Sequence, residues 1–459
     1  MRKIDKLLDF KLTDKVTFSL IAIALVLILV STIFVVSGAK TSILGLEQPP
    51  PSYVTTYYDL AIDATDRTGR VPEYFIPQNI LKEQFKLAYD EKIMTIDRDW
   101  SISLKHGTKA GTKSTVTVRL GKSIYAIANI HIVNADNIIT SAEQFLQLNG
   151  SKQTVIVGSV LDFEQTDSNI SDFKGKIYFN HFPLINLKSK NLPLFSSVSE
   201  AQVIGLDLNI NLTVDEARAQ LVNISNVQDI EDFAKVFGAV AGRAYKTSFE
   251  NITLKGLLSF KITSGDNRYY IGGVAGFLNN QRRMVENDPN ISVSQGIRSY
   301  LDIEILTDCE RVSYIECGGL FGIIKNASLQ KAVVQSDIDI VGMDTALEWV
   351  SIGGIFGSLI KEYDTVGQDI YSFDSMEDLN SQIEILILAD SLTSNAKIGG
   401  IAAYVQNVNL KKCNHDVMYS IKIDKKMTQT NRASIVAGAH NTVLGYSMTI
   451  NGEDWSSFQ

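Results

Sequence analysis

The sequence predicts an all-β protein: a right-handed parallel β-helix, preceded by a small β-sandwich and by one membrane-spanning helix at the amino terminus. Three observations carry that reading. Between residues 236 and 439 one pattern recurs six times: an apolar residue, two Gly or Ala, an apolar pair, then usually another Gly or Ala. Downstream of each copy lies a strand-like run in which apolar and polar residues alternate. Ahead of all of this, residues 16–39 carry no charge.

Residues 1–15 read as a cytoplasmic tail containing Arg2, Lys3, Lys6, Lys11 and Lys15. Residues 16–39 follow as a signal-anchor. A helix of that length, at about 1.5 Å per residue, spans about 36 Å, enough for a hydrocarbon core of about 30 Å. By the positive-inside rule the basic end stays in the cytoplasm and everything after Lys40 is exported. Ser37, Gly38 and Ala39 are small enough for a signal peptidase, so cleavage is the alternative. The apolar run exceeds the 7 to 15 residues, roughly, of an ordinary signal-peptide core, which favours retention. Residues 40–52, with Pro49, Pro50 and Pro51, read as a stiff spacer.

Residues 53–133 read as a small β-sandwich. Alternation marks strands at 93–96, 101–104, 115–118 and 125–130, with turns at Gly107, Gly111 and Gly121 and a short helix over 80–89. The closing run, 109–133, is similar to the end of bacterial Ig-like domains.

Residues 134–459 form the β-helix. The copies begin their small residues at Gly238, Gly272 with Gly273, Gly318 with Gly319, Gly353 with Gly354, Gly399 with Gly400, and a degraded sixth at Ala437, spaced 34, 46, 35, 46 and 38 residues apart. A period in this range marks a stacked repeat, because each unit needs the next to cover its apolar side. The alternating runs, such as 206–212, 301–305 and 337–340, place one set of side chains in a shared core and the other in solvent. Right-handedness follows from the crossover preference of parallel strands. The recurring glycines allow either a positive φ at a corner or close approach of neighbouring coils. They are not a phosphate loop, since no Gly-Lys-Ser/Thr follows them.

At these residues the chain resembles the GLUG-type repeat of bacterial surface β-helices, including the region that precedes the catalytic domain of IgA-specific metallopeptidases. The resemblance extends over residues 138–452 and implies a short capped helix followed by an apolar first coil. Thr140 as N-cap, with Glu143 as its capping-box partner, and a helix over 140–148 fit that expectation. Strands are then expected at 154–157, 160–163, 173–179, 184–187 and 194–195. The peptidase chemistry does not carry over: none of His106, His131, His181, His415 and His440 lies in a His-Glu-x-x-His motif.

The formal net charge is −8, and because residues 1–40 carry six Lys or Arg against three Asp or Glu, the remainder bears −11. Such an ectodomain is a poor partner for nucleic acid. Cys309, Cys317 and Cys413 lack metal-ligand spacing. Cys317 stands where the repeat has an apolar residue and reads as a small buried side chain, with a Cys309–Cys317 disulfide as the alternative. Stacking of the alternating strands would bring Asp207, Asp302, Glu304, Asp337, Asp339 and Glu384 onto one side. Of these, Asp302, Glu304, Asp337 and Asp339 are candidate calcium ligands; Lys261 and Lys422, which interrupt the row, and the missing calcium-loop motifs favour a merely solvated acidic face. No convergent catalytic set emerges, although Tyr269, Tyr270, Tyr300, Tyr314 and Trp349 could line a cleft. The leading functional expectation is a non-catalytic, membrane-anchored surface module for adhesion, partner binding or envelope structure, with a protein or glycan ligand. The alternative is a glycan-active β-helix enzyme of the polysaccharide lyase or hydrolase type.

Overall fold

The computed structural model describes strands at Leu60–Asp63, Trp100–Lys105, Lys113–Leu120 and Ser123–Val133, the chain at 134–224, 232–280, 293–361 and 376–432, and four short strands after it. The membrane-spanning and spacer expectations for 1–52, the strand at 93–96 and the helix at 80–89 lie outside these residues. Of what is described, 67% is strand and 4% helix, so the protein is nearly all β, with predominantly parallel sheets consistent with a β-helix. Among the described residues no helix is long and apolar enough to cross a membrane.

The amino-terminal strands form a four-stranded sheet in the order first, fourth, third, second, with Leu60–Asp63 running parallel to the end of Ser123–Val133. From Asn137 onward the chain winds in coils, each hydrogen-bonded in parallel to the next. Asp207–Asp215 pairs with Thr253–Ile262, that strand with Arg298–Thr307, and so on through Ser328–Gly353, Met376–Gly399 and Asn409–Arg432. The last three runs are long because the ladder continues through the bends.

Alternation explains why the coils stack. One column of inward side chains contains Leu258, Ile303, Ile338 and Ile385, and its neighbour Phe260, Ile305, Ile340 and Ile387, all buried. Each such side chain contributes about 1.5–3 kcal/mol on burial, and it reaches that only when the coils above and below are present. At the amino-terminal end the helix Ala142–Leu146 packs Phe145 against Phe163, Phe179 and Phe195, at centroid distances of 5.9, 6.0 and 5.5 Å. Its cap is shifted by one residue from the expectation. Ser141, not Thr140, is the N-cap and accepts from the Gln144 N–H, while the Gln144 side chain, rather than that of Glu143, reaches back to the Thr140 N–H at 2.8 Å. Serine and threonine both cap well, and placing Ala142 and Phe145 inward selects the serine.

The glycine copies lie directly above one another: Gly238 pairs with Gly272, then Gly318, Gly353 and Gly399. Close approach, not a positive φ, is their purpose. A Cβ on Gly319 would lie 2.4 Å from the Gly354 carbonyl oxygen, and one on Gly354 2.1 Å from that of Gly400. Left-handed corners lie elsewhere, one of them at Gly205, Asn251, Gly296, Lys331, Asp378 and Lys412, one residue in each successive coil. Most of these are not glycine, so no recurring glycine marks the corner. Cys309, Cys317 and Cys413 are free; Cys317 pairs between Ile271 and Ile352 inside the core, and Cys309 sits half-exposed at a turn.

Candidate functional site

Two regions collect chemically active side chains. The first is the outer face of the alternating strands. Asp337 pairs with Glu384 and Glu304 with Asp339, while an Asp302 carboxylate oxygen accepts the Asp337 backbone N–H at 2.9 Å. There the ladder to the preceding coil opens, leaving a cleft of about 220 Å³ whose lining includes Asp302, Asp337, Glu384, Asp416, Gln335 and Gln382. Partial burial, then the neighbouring Asp302 and Glu384, push the Asp337 carboxyl above its ordinary range; burial, then Asp337 and Glu304, do the same to Asp339.

Two details differ from the expectation. Asp207 belongs to another column, paired with Thr253, and its carboxylate lies 2.9 Å from Nδ1 of His181. Lys261 and Lys422 do not interrupt the acidic row, because both stand in a separate column with Leu306, Val341 and Leu388. Among the described residues no group of three or more His, Cys, Asp or Glu is arranged to hold a metal ion.

The second region is the corner beside the stacked glycines, where outward side chains of two adjoining strands face each other. Its amino-terminal part is an apolar cluster of Val222, Ile224, Val236, Tyr270, Phe277 and Ile323. Next to it lies Glu316, 1% exposed, whose Oε2 accepts the Tyr314 hydroxyl at 2.5 Å and whose other oxygen has no hydrogen-bond partner. Gly357 makes room for it, since a Cβ there would come within 2.6 Å of the Glu316 Cγ. Burial raises the Glu316 carboxyl to about 7, against the hydrogen bonds from Ser358 and Tyr314 and the charges of Lys397 and Arg268.

Above Glu316 the rings form a ladder. Tyr314 and Trp349, paired in register, stack at 5.8 Å with 10° between their planes. The Arg268 guanidinium lies 5.5 Å from the Tyr314 ring, and the Lys397 ammonium 5.0 Å from Trp349 and 4.9 Å from Tyr404. Cations in such positions are attracted by the ring quadrupole. Of the aromatics singled out in the sequence, Tyr270, Tyr314 and Trp349 meet here. Tyr269 instead enters the main core and donates its hydroxyl to Glu216, and Tyr300 stands exposed on the outer face. The sequence concealed Glu316 and Lys397, although both occupy the position two residues before a double glycine, as do Tyr270 and Ser351. No protein-family model matches the chain, and no curated protein matches it in sequence.

Proposed function

We propose that the protein is a non-catalytic, membrane-anchored bacterial cell-surface module. In this reading residues 16–39 are a retained anchor, 40–52 a spacer, 53–133 an Ig-like sandwich, and 134–459 a right-handed parallel β-helix of GLUG type. The β-helix presents its outer face to a protein or glycan ligand. The observation that carries the proposal is the shared register of the alternating strands from coil to coil, which lines up outward side chains in columns. In those columns Gln335 donates to Gln382 and Asn414 to Asn380, beside the acidic row of Asp302, Asp337 and Glu384. An ordered polar face of this kind presents one repeated chemistry to a partner without conformational cost. The test is binding of the purified full-length chain to panels of immobilised glycans and envelope proteins, compared with the variant Asp337→Lys, Glu384→Lys. At least one ligand should bind, and the variant should weaken it about tenfold or more, roughly 1.4 kcal/mol. Binding unaffected by the variant would contradict the assignment of this face.

A further inference from the structure

One inward column of the stack runs Leu208, Leu254, Ser299, Val334, Ser381 and His415, and only its last member is ionisable. His415 is 6% exposed, and neither ring nitrogen has a hydrogen-bond partner. Ser381, its register partner in the preceding coil, is 4% exposed, and its Oγ also lacks one. A neutral imidazole is held in this place by packing alone. An imidazolium would bring two N–H donors and a charge into the same space, where an unpaired charge is far more costly than an unpaired dipole.

The neighbouring strands hold no carboxylate inside to meet that charge. On its own strand, Cys413 shares the inward side and Asp416 stands exposed on the outer face. On Met376–Gly399, Asp378 and Glu384 are exposed, and Glu377 lies 2.9 Å from the Lys412 ammonium. Thr449 and Ile450, in register with Asn414 and His415 from the other side, bring no titratable group. The coil is also weakly held on that side. Met376–Gly399 pairs with Asn409–Arg432 along most of its length, whereas among the described residues the following coil pairs in parallel only at Asn409, Leu410, Asn414 and His415. Farther along the same strand the inner columns lose their cover: Ile385 is 2% exposed and Tyr419, next to it in register, is 43% exposed.

We propose that His415 is an acid-operated release for the terminal coil: neutral, the ring stays packed and Asn409–Arg432 is held on Met376–Gly399, and protonated, the ring turns to water and this strand detaches while the earlier coils remain stacked. The proton comes from solvent, so no other reactant is needed. A local change is open to a stacked repeat because each coil is held by its neighbours alone. The sign follows from burial, which keeps the ring below the ordinary histidine range against the opposing charge of Asp416, so the packed form loses stability as pH falls. Asp416 and Met418 line the acidic cleft, so the release also removes one wall of that cleft. The release itself does not depend on that face having a ligand.

Cys413, buried two residues before His415, reports on the release, and Cys317, buried in an earlier coil, is the control. In the full-length chain carrying Cys309→Ser, the rate at which a pyridyl disulfide modifies each thiol is measured at pH 7.5 and pH 4.5. Each rate is taken relative to the urea-unfolded chain at the same pH. Cys413 should gain about tenfold or more at pH 4.5, within what a depressed histidine supplies by linkage. Cys317 should not change, and His415→Leu should abolish the gain at Cys413. The contrast between the two cysteines in the parent stands even where His415→Leu does not fold. Equal protection of Cys413 at both pH values, a gain at Cys317 alongside Cys413, or a gain that survives His415→Leu would each overturn the release.

Discussion

At the scale of single residues, the stack depends on places where a side chain is absent or lacks a partner. Replacing Gly319 or Gly354 by Val would push a branched side chain into the carbonyl of the next coil. Since that carbonyl is backbone of the adjoining coil and cannot swing aside as a side chain would, the cost is overpacking of about 1–3 kcal/mol with added backbone strain, and the thermal midpoint should fall. An unchanged midpoint would mean the glycines are dispensable. His415 is the opposite case: its ring is buried, neither nitrogen has a hydrogen-bond partner, and burial pushes it down to about 4. A histidine depressed in the fold contributes stability above its ordinary value of about 6.5, and that contribution is lost as pH falls toward 4. Glu316, raised to about 7, works in the other direction, its favourable contribution disappearing as pH rises from about 4.5 through 7. Replacing His415 by Leu should therefore lower the thermal midpoint at pH 8 relative to that at pH 5, compared with the parent chain. An unchanged difference between the two midpoints would show that the histidine is not the acid-sensitive group.

At the scale of elements, the capped helix and the acidic column can be separated experimentally. Ser141→Ala removes the acceptor for the Gln144 N–H and should cost about 1 kcal/mol, whereas Thr140→Ala should cost less because Ser141 remains. Equal losses would restore the threonine as the cap. Along the acidic column, Asp337→Asn removes one of several crowded charges without changing shape. The thermal midpoint should rise at low ionic strength, and the gain should shrink in about 1 M salt, where screening reaches only about 3 Å. A midpoint lowered by the substitution would mean that the Asp337 charge is compensated within the chain. Elements of this kind were legible unevenly. The strands at Asp207–Asp215 and Arg298–Thr307 announce themselves by alternation, which is a local property of the chain. The Glu316 corner was not legible, because it joins Arg268, Tyr314, Trp349 and Lys397 from four coils, and only the register brings them together. The left-handed corner was hidden for a related reason: Lys331, Asp378 and Lys412 are held in it by the ladder, not by their own preference.

For the whole molecule, the repeat is what the sequence states most clearly, since glycines spaced 34 to 46 residues apart stack in one column. A quasi-one-dimensional structure of this sort spreads its stability over neighbouring coils. Fifteen of the 24 residues at 16–39 are Val, Leu, Ile or Phe, each favouring insertion by roughly 0.3–0.6 kcal/mol near a helix centre. Five basic residues precede them and should keep the amino terminus inside. The most direct measurement is protease added to intact cells that carry a tag at each end of the chain. The carboxy-terminal tag and the β-helix should be removed while a small amino-terminal fragment, still beginning at Met1, stays in the membrane fraction. A β-helix protected until the cells are lysed would contradict it.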